Sequence, residues 1–182
     1  MTLQEARLAL QDLDLPLGWD MHRCADGPVR LTAILSRHPV RARGCLSSGS
    51  WVRAETPEGD LTVATLHLYW PWPRGQHSQV RRLLPELAAL PGPILLTGDM
   101  NQTPWSHTLA ELTENTGTYR ARGAGVTYVG AAGLVRLPID HLLVPSGWLA
   151  EVRRLERWGA DHHALALSVS RPYRRSARQA AE

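Results

Sequence analysis

The sequence predicts an α/β domain in which strands outnumber helices. Six short apolar runs, at residues 31–35, 61–68, 94–97, 139–144, 152–158 and 164–169, have the length of buried strands, and several are bounded by Gly, Pro or Asp. Helical patterns at 3–13, 76–90 and 104–114 lie between some of them. A chain of 182 residues that is 43% hydrophobic can build one sizeable core and has little room for a second domain.

From the N-terminus, Thr2 and Glu5 stand three apart, the spacing of a capping box for a helix over 3–13. The helix over 104–114 is expected to open with Thr103 as its N-cap and Pro104 in its first turn, where a missing N–H costs nothing. The Gly/Ala-rich segment 123–133 reads as a surface loop. The domain is expected to span 1–170, with the basic, polar stretch 171–182 as a flexible tail. Cys24 and Cys45 follow no metal-ligand spacing and are expected to be ordinary thiols.

The formal charge is +3 and the pI about 9.3, yet every one of the 20 basic residues is Arg, and Phe is absent too. That usage is best explained by the codon bias of a GC-rich genome. Mild basicity permits an anionic substrate without requiring nucleic acid, for which a clustered basic face would be the better sign. No run approaches the roughly 18 consecutive apolar residues of a membrane helix, and no basic-then-apolar leader precedes the domain, so a soluble, cytoplasmic chain is expected.

Three polar interruptions of apolar runs carry chemistry. The run at 94–97 ends in Gly98 and then presents Asp99 and Asn101, which a period of two puts on one side of the chain. A carboxylate there can orient or deprotonate water, and a carboxamide can donate to phosphate oxygens. The same three residue types also dominate turns. Asp140 and His141 open the run at 139–144, and Asp161 with His162 precedes the run at 164–169. A carboxylate that accepts from one imidazole nitrogen fixes the tautomer and leaves the other nitrogen for a substrate. His67 is a further polar residue inside the apolar run 61–68.

Five motifs in order make the sequence resemble the endonuclease/exonuclease/phosphatase superfamily, the DNase I-like group. They are Leu3-Gln4-Glu5, the segment Ala33-Ile34-Leu35-Ser36-Arg37-His38-Pro39, Thr65-Leu66-His67-Leu68, Gly98-Asp99-Met100-Asn101, and the closing pair Ile139-Asp140-His141 and Ala160-Asp161-His162. Thr103-Pro104-Trp105-Ser106 further resembles a bacterial subgroup of uncharacterised members. The resemblance implies a four-layered α/β sandwich, two mainly antiparallel sheets flanked by helices. It also implies a magnesium- or manganese-dependent hydrolase of phosphate esters. Glu5 and Asp161 would serve the divalent ion, Asp99 would activate water and Asn101 would hold the phosphate. Asp140 would pair with His162, and His67 would stabilise developing charge or assist the leaving oxygen.

Two departures from the family pattern stand out. Ala160 replaces the usual Ser, and Met1 lies four residues before Glu5, where the family places an earlier strand bearing an asparagine and a helix. The expectation is therefore an N-terminally truncated member, and the rival to an enzyme is a non-catalytic remnant that only binds. The expected partner is a phosphate ester, with nucleic acid, small molecules and lipid head groups all open, bound by a monomer. The stretch Trp70-Pro71-Trp72-Pro73-Arg74 should lie at the mouth of the site, where indoles could stack on a base or cover an apolar substrate.

Overall fold

A computed structural model describes residues 1–5, 14–26, 30–73 and 75–172. The elements, in chain order, are β1 (Thr2–Gln4), β2 (Asp20–Asp26), β3 (Arg30–Ser36), β4 (Val40–Leu46), β5 (Gly49–Thr56), β6 (Gly59–His67), α1 (Gln76–Ala88), β7 (Ile94–Asp99), α2 (His107–Thr116), β8 (Thr118–Arg120), β9 (Tyr128–Gly130), β10 (Val135–Leu137), β11 (Asp140–Pro145), β12 (Leu149–Arg154) and β13 (Leu165–Ser170). A six-stranded sheet runs β4-β5-β6-β7-β11-β8, and a three-stranded sheet runs β1-β3-β2. Within the large sheet only β6 and β7 are parallel, and α1 makes the crossover that a parallel pair requires.

Alternation along the strands sorts the large sheet's residues into two faces. Ala64 and Leu66 of β6, Leu96 of β7 and Leu143 of β11 pack against Val80, Leu83 and Leu87 of α1 and Leu109 and Leu112 of α2. The intervening residues face the second sheet layer. Gln4 of β1 donates from Nε2 to the Thr65 hydroxyl at 2.6 Å, and the Thr97 hydroxyl donates to that of Thr2 at 3.1 Å. Further along, Leu142 and Val144 pack under Leu165, Leu167 and Val169 of the β12–β13 ribbon. His67, Asp99 and Asp140 belong by the same alternation to this inter-sheet face. The result is the α/β sandwich that the resemblance implies.

Several sequence expectations change. Leu3 and Gln4 form strand, paired with Ala33 and Thr32, where a helix over 3–13 was expected; residues 6–13 lie outside the described residues. The second helix starts at His107 instead of 104, because Ser106 is the cap: its Oγ accepts from Leu109 N at 3.2 Å, while Ser106 N closes a turn onto Thr103 O. The run 152–158 slides back to Leu149–Arg154, in register with β13. The segment 123–133 is only partly surface loop, since it contains β9 and the fully buried Thr127. Of the expected tail, 173–182 lies outside the described residues, as does Arg74. Among the described residues, no helix is long and apolar enough to cross a membrane.

The cysteines also depart from expectation, because Cys24 and Cys45 are joined in a disulfide. Sequence spacing gave no hint, since the pair is 21 residues apart on strands of different sheets that stack so that their Cα atoms lie 5.6 Å apart. The bridge fastens the small sheet, and with it β1, to the large one. Because the crosslink restricts the unfolded chain, Cys24→Ala with Cys45→Ala should lower unfolding free energy by about 3 kcal/mol in urea titrations. Dithiothreitol should lower the native chain comparably and leave the double variant unmoved; equal stability of native and variant chains without reductant would show that the bridge restrains nothing.

Candidate active site

Register brings the polar residues together. In the parallel pair β6–β7, His67 stands opposite Asp99; in the antiparallel pair β7–β11, Asp140 stands opposite the same Asp99. The three lie side by side at one end of three neighbouring strands, on the inter-sheet face. Glu5 arrives from the other sheet, just past β1, in a left-handed conformation with φ 54° that ends the strand. Its Oε1 is 3.6 Å from His67 Nε2, which in turn is 3.7 Å from Asp99 Oδ2. His162 enters just before β13, bridged to Tyr128 of β9. Its Nδ1 makes a 2.8 Å hydrogen bond with Asp140 Oδ2, and its Nε2 lies 4.0 Å from Asp99 Oδ2.

The loop after β7 turns back to support Asp99. Asn101 has φ 47°, a conformation Asn tolerates better than most residues, and its backbone N–H donates to Asp99 Oδ1 at 2.9 Å. Its carboxamide nitrogen donates to Leu68 O at 2.8 Å and to Asp99 Oδ2 at 3.3 Å, which uses both protons. Asn101 Oδ1 is buried with no hydrogen-bond partner. The carboxamide thus ties the ends of β6 and β7 together.

Burial, joined by the nearby carboxylate of Asp140, raises the Asp99 pKa to about 7 against the bonds from Asn101 and the charge of His162. For His162 burial works toward the neutral ring. The hydrogen bond and charge of Asp140, with the charges of Asp99 and Asp161, outweigh it and raise the imidazole to about 9. Asp161 itself is exposed, with its backbone carbonyl accepting from Val129 N. The structure therefore gathers Glu5, His67, Asp99, Asn101, Asp140 and His162, and leaves Asp161 at the rim.

His141 points the other way. Alternation turns it to the opposite face from Asp140, where it is buried and its Nε2 shares a 2.7 Å hydrogen bond with Gln102 O. Burial lowers its pKa, which suits a neutral clamp on the loop after β7. Other supporting residues escape sequence reasoning. Gln76 donates to Tyr69 O and Met100 O, Gln79 accepts from Tyr69 N, and Gln102 donates to Gln76, so the start of α1 pins the loops that follow both site strands. Glutamines at 76 and 79, spaced to share one face of a helix, were the available signal. Thr127 is likewise unannounced: its Oγ1 accepts from Ile139 N and Asp140 N, each at 3.1 Å, and its carbonyl accepts from His163 N at 2.7 Å. One threonine therefore holds the segments carrying Asp140 and His162.

Carboxylates and imidazoles collected at the strand ends of a two-sheet sandwich equip a site for acid–base work. The chain belongs to the family described as Endonuclease/Exonuclease/phosphatase, whose sequence profile matches residues 1–170. Its fold is similar to that of the 3′ phosphatase NExo from Neisseria bound to product DNA hairpin, at 16% identity, covering 94% of this chain and 88% of that one with a TM-score of 0.71. It is also similar to the 3′-5′ exonuclease NExo from Neisseria meningitidis, at 16% identity, 93% and 83% coverage and a TM-score of 0.67. The human Nocturnin catalytic domain with bound sulfate anion aligns at 14% identity, 93% and 80% coverage and a TM-score of 0.66. At these identities the likeness is one of fold, and the fold is DNase I-like. No curated protein matches the sequence.

The Thr127 arrangement makes a prediction. Thr127→Val keeps the shape but leaves the buried N–H groups of Ile139 and Asp140 without their acceptor, so it should destabilise the chain by about 2 kcal/mol or more, read from the urea midpoint. Thr127→Ser should recover most of the loss. A valine variant as stable as the native chain would show that the hydroxyl supports nothing.

Proposed function

We propose that the chain is a metal-dependent hydrolase of phosphate esters, the activity that the family and the arrangement of the site both support. The observation that carries this reading is the alignment of His67, Asp99 and Asp140 across β6, β7 and β11, with His162 docked on Asp140.

The donor set suits a hard divalent cation. Glu5 and Asp99 contribute oxygen ligands from two sheets, the carboxylates of Asp99 and Asp140 burden each other, and the buried Asn101 Oδ1 has no partner. Glu5 would hold Mg²⁺ or Mn²⁺, with Asp161 on the same side, and the bound ion would polarise a phosphoryl oxygen. Asp99, held by the Asn101 backbone N–H, accepts the proton of the attacking water. Asn101 holds Asp99 in place through its backbone and carboxamide. Both protons of that carboxamide are already donated within the chain, so its contribution to phosphate binding is the position of the loop rather than a bond of its own. Asp140 orients His162 through Nδ1 and favours its cationic form, so that Nε2–H faces the centre and donates to the charge that develops on the phosphoryl group. His67, beside both Glu5 and Asp99, supports the same developing charge or the leaving oxygen. DNA, present as product in one structural relative, is one candidate substrate.

Bis-p-nitrophenyl phosphate turnover should require added Mg²⁺ or Mn²⁺ and stop in EDTA. Asp99→Asn and His162→Ala should each lower kcat by at least about 100-fold with little change in KM, since both act on the transition state. Their combined loss should fall short of the product of the single losses because they serve one centre. Turnover that persists in EDTA, or a double variant whose loss is the full product, would contradict the reading.

A further inference from the structure

We propose that His22, Cys24 and Cys45 form a second metal centre, a soft one that takes Zn²⁺ when the Cys24–Cys45 disulfide is reduced. The residues come from two layers. His22 and Cys24, two apart on β2, project from the same side of that strand, and Cys45 meets them from β4 of the large sheet. Their donor atoms, one imidazole nitrogen and two sulfurs, all lie within 4.8 Å of one another. His22 Nε2 is 3.3 Å from Cys24 Sγ and 2.9 Å from the Gly44 carbonyl oxygen, which lies 3.6 Å from the same sulfur. The Gly44 carbonyl thus stands beside the fourth position of a site whose other three donors are side chains.

In a tetrahedral zinc site, bonds of about 2.0 to 2.3 Å put neighbouring donors roughly 3.4 to 3.8 Å apart. The three separations around His22 and Gly44 already come within about 0.5 Å of that range, so the covalently joined sulfurs are the pair that must part. Reduction parts them. The disulfide takes two electrons and two protons from a dithiol, which leaves as its own disulfide, and the ion then displaces both thiol protons to solvent. Meanwhile the layers have other ties close by: Arg43 of β4 pairs with Asp20 of β2 at 3.0 Å, and the Thr32 hydroxyl of β3 donates to that of Ser50 on β5 at 3.1 Å. Cys45 is exposed and Cys24 buried, so reductant and ion reach the pair from the Cys45 side. Two thiolates and an imidazole suit Zn²⁺, whereas the oxygen set around Glu5 and Asp99 suits Mg²⁺ or Mn²⁺; the two centres therefore sort ions by hardness. Zinc holds β2 against β4 in the reduced chain as the bridge does in the oxidised one.

The test uses the full chain reduced with tris(2-carboxyethyl)phosphine, which becomes its phosphine oxide with oxygen from water, in excess Mg²⁺ to occupy the oxygen-ligand centre. Co²⁺ serves as the spectroscopic stand-in for Zn²⁺. One Co²⁺ per chain should bring a thiolate-to-cobalt charge-transfer band and the visible absorption of a tetrahedral ion, and Zn²⁺ should bleach both. The disulfide-bonded chain should show neither. His22→Ala should weaken Co²⁺ binding by about tenfold or more, and Cys24→Ser and Cys45→Ser should each do the same while removing roughly half of the charge-transfer intensity. His38→Ala, which removes an exposed histidine elsewhere, should change nothing. No charge-transfer band in the reduced chain would overturn the centre, as would a His22→Ala variant that binds as tightly as the native chain. A band that persists in denaturing urea would overturn it too, because the thiolates would then be gathered by a flexible chain instead of by β2 and β4. If reduction alone unfolds the chain, Zn²⁺ should restore the native far-UV circular dichroism, and failure to restore it sinks the proposal.

Discussion

The site depends on the close approach of β6 and β7 at Gly98. A Cβ on Gly98 would lie 2.0 Å from the carbonyl oxygen of Leu66 and 2.9 Å from its nitrogen, both backbone atoms that cannot swing aside. The residue also has φ 130°, which side-chain-bearing residues rarely adopt. Only glycine lets the parallel pair run on to its last rung, where His67 meets Asp99, and lets Leu68 N donate to Asp99 O just beyond it. Asp140 and His162 then follow through the antiparallel pairing of β11 with β7.

The second constraint is that the centre straddles two sheets. His67, Asp99 and Asp140 stand on the large sheet, whereas Glu5 stands at the end of a three-residue strand on the small one. Fixing a carboxylate from one layer against residues of another requires that the layers not slide. The Gln4–Thr65 and Thr2–Thr97 bonds hold β1 locally, and the Cys24–Cys45 bridge holds its sheet as a whole. Glu5 remains exposed, so its placement comes from backbone geometry rather than from packing of its own side chain.

Much of the centre was legible in the sequence because His67, Asp99 and Asp140 are polar breaks in or beside apolar runs, whereas Glu5 stood at a capping-box spacing and was singled out only through the resemblance. Asp99, Asp140 and His67 end or begin strands that alternation and flanking residues mark out, and the order of the motifs supplied the sandwich. Strands whose outer faces are paired charges were not legible: β4 is rich in arginine, with Arg41 bound to Glu55 and Arg43 to Asp20, so its apolar content stays low. Nor were the residues whose roles arise only from long-range packing. Thr127 looked like part of a Gly/Ala loop, whereas the bond between Asp140 and His162, 22 positions apart, was expected only through the resemblance. His141 shared a motif with Asp140, and only strand alternation separates the clamp from the acid.

The central claim is that carboxylates from both sheets converge on one divalent cation. Calorimetric titration of Mn²⁺ into the metal-free chain tests it without recourse to turnover. One ion per chain should bind, and Glu5→Gln and Asp99→Asn, each from a different sheet, should both weaken it by about tenfold or more. Binding that is unchanged in either variant would contradict the account, because the centre would then not be built across the two sheets.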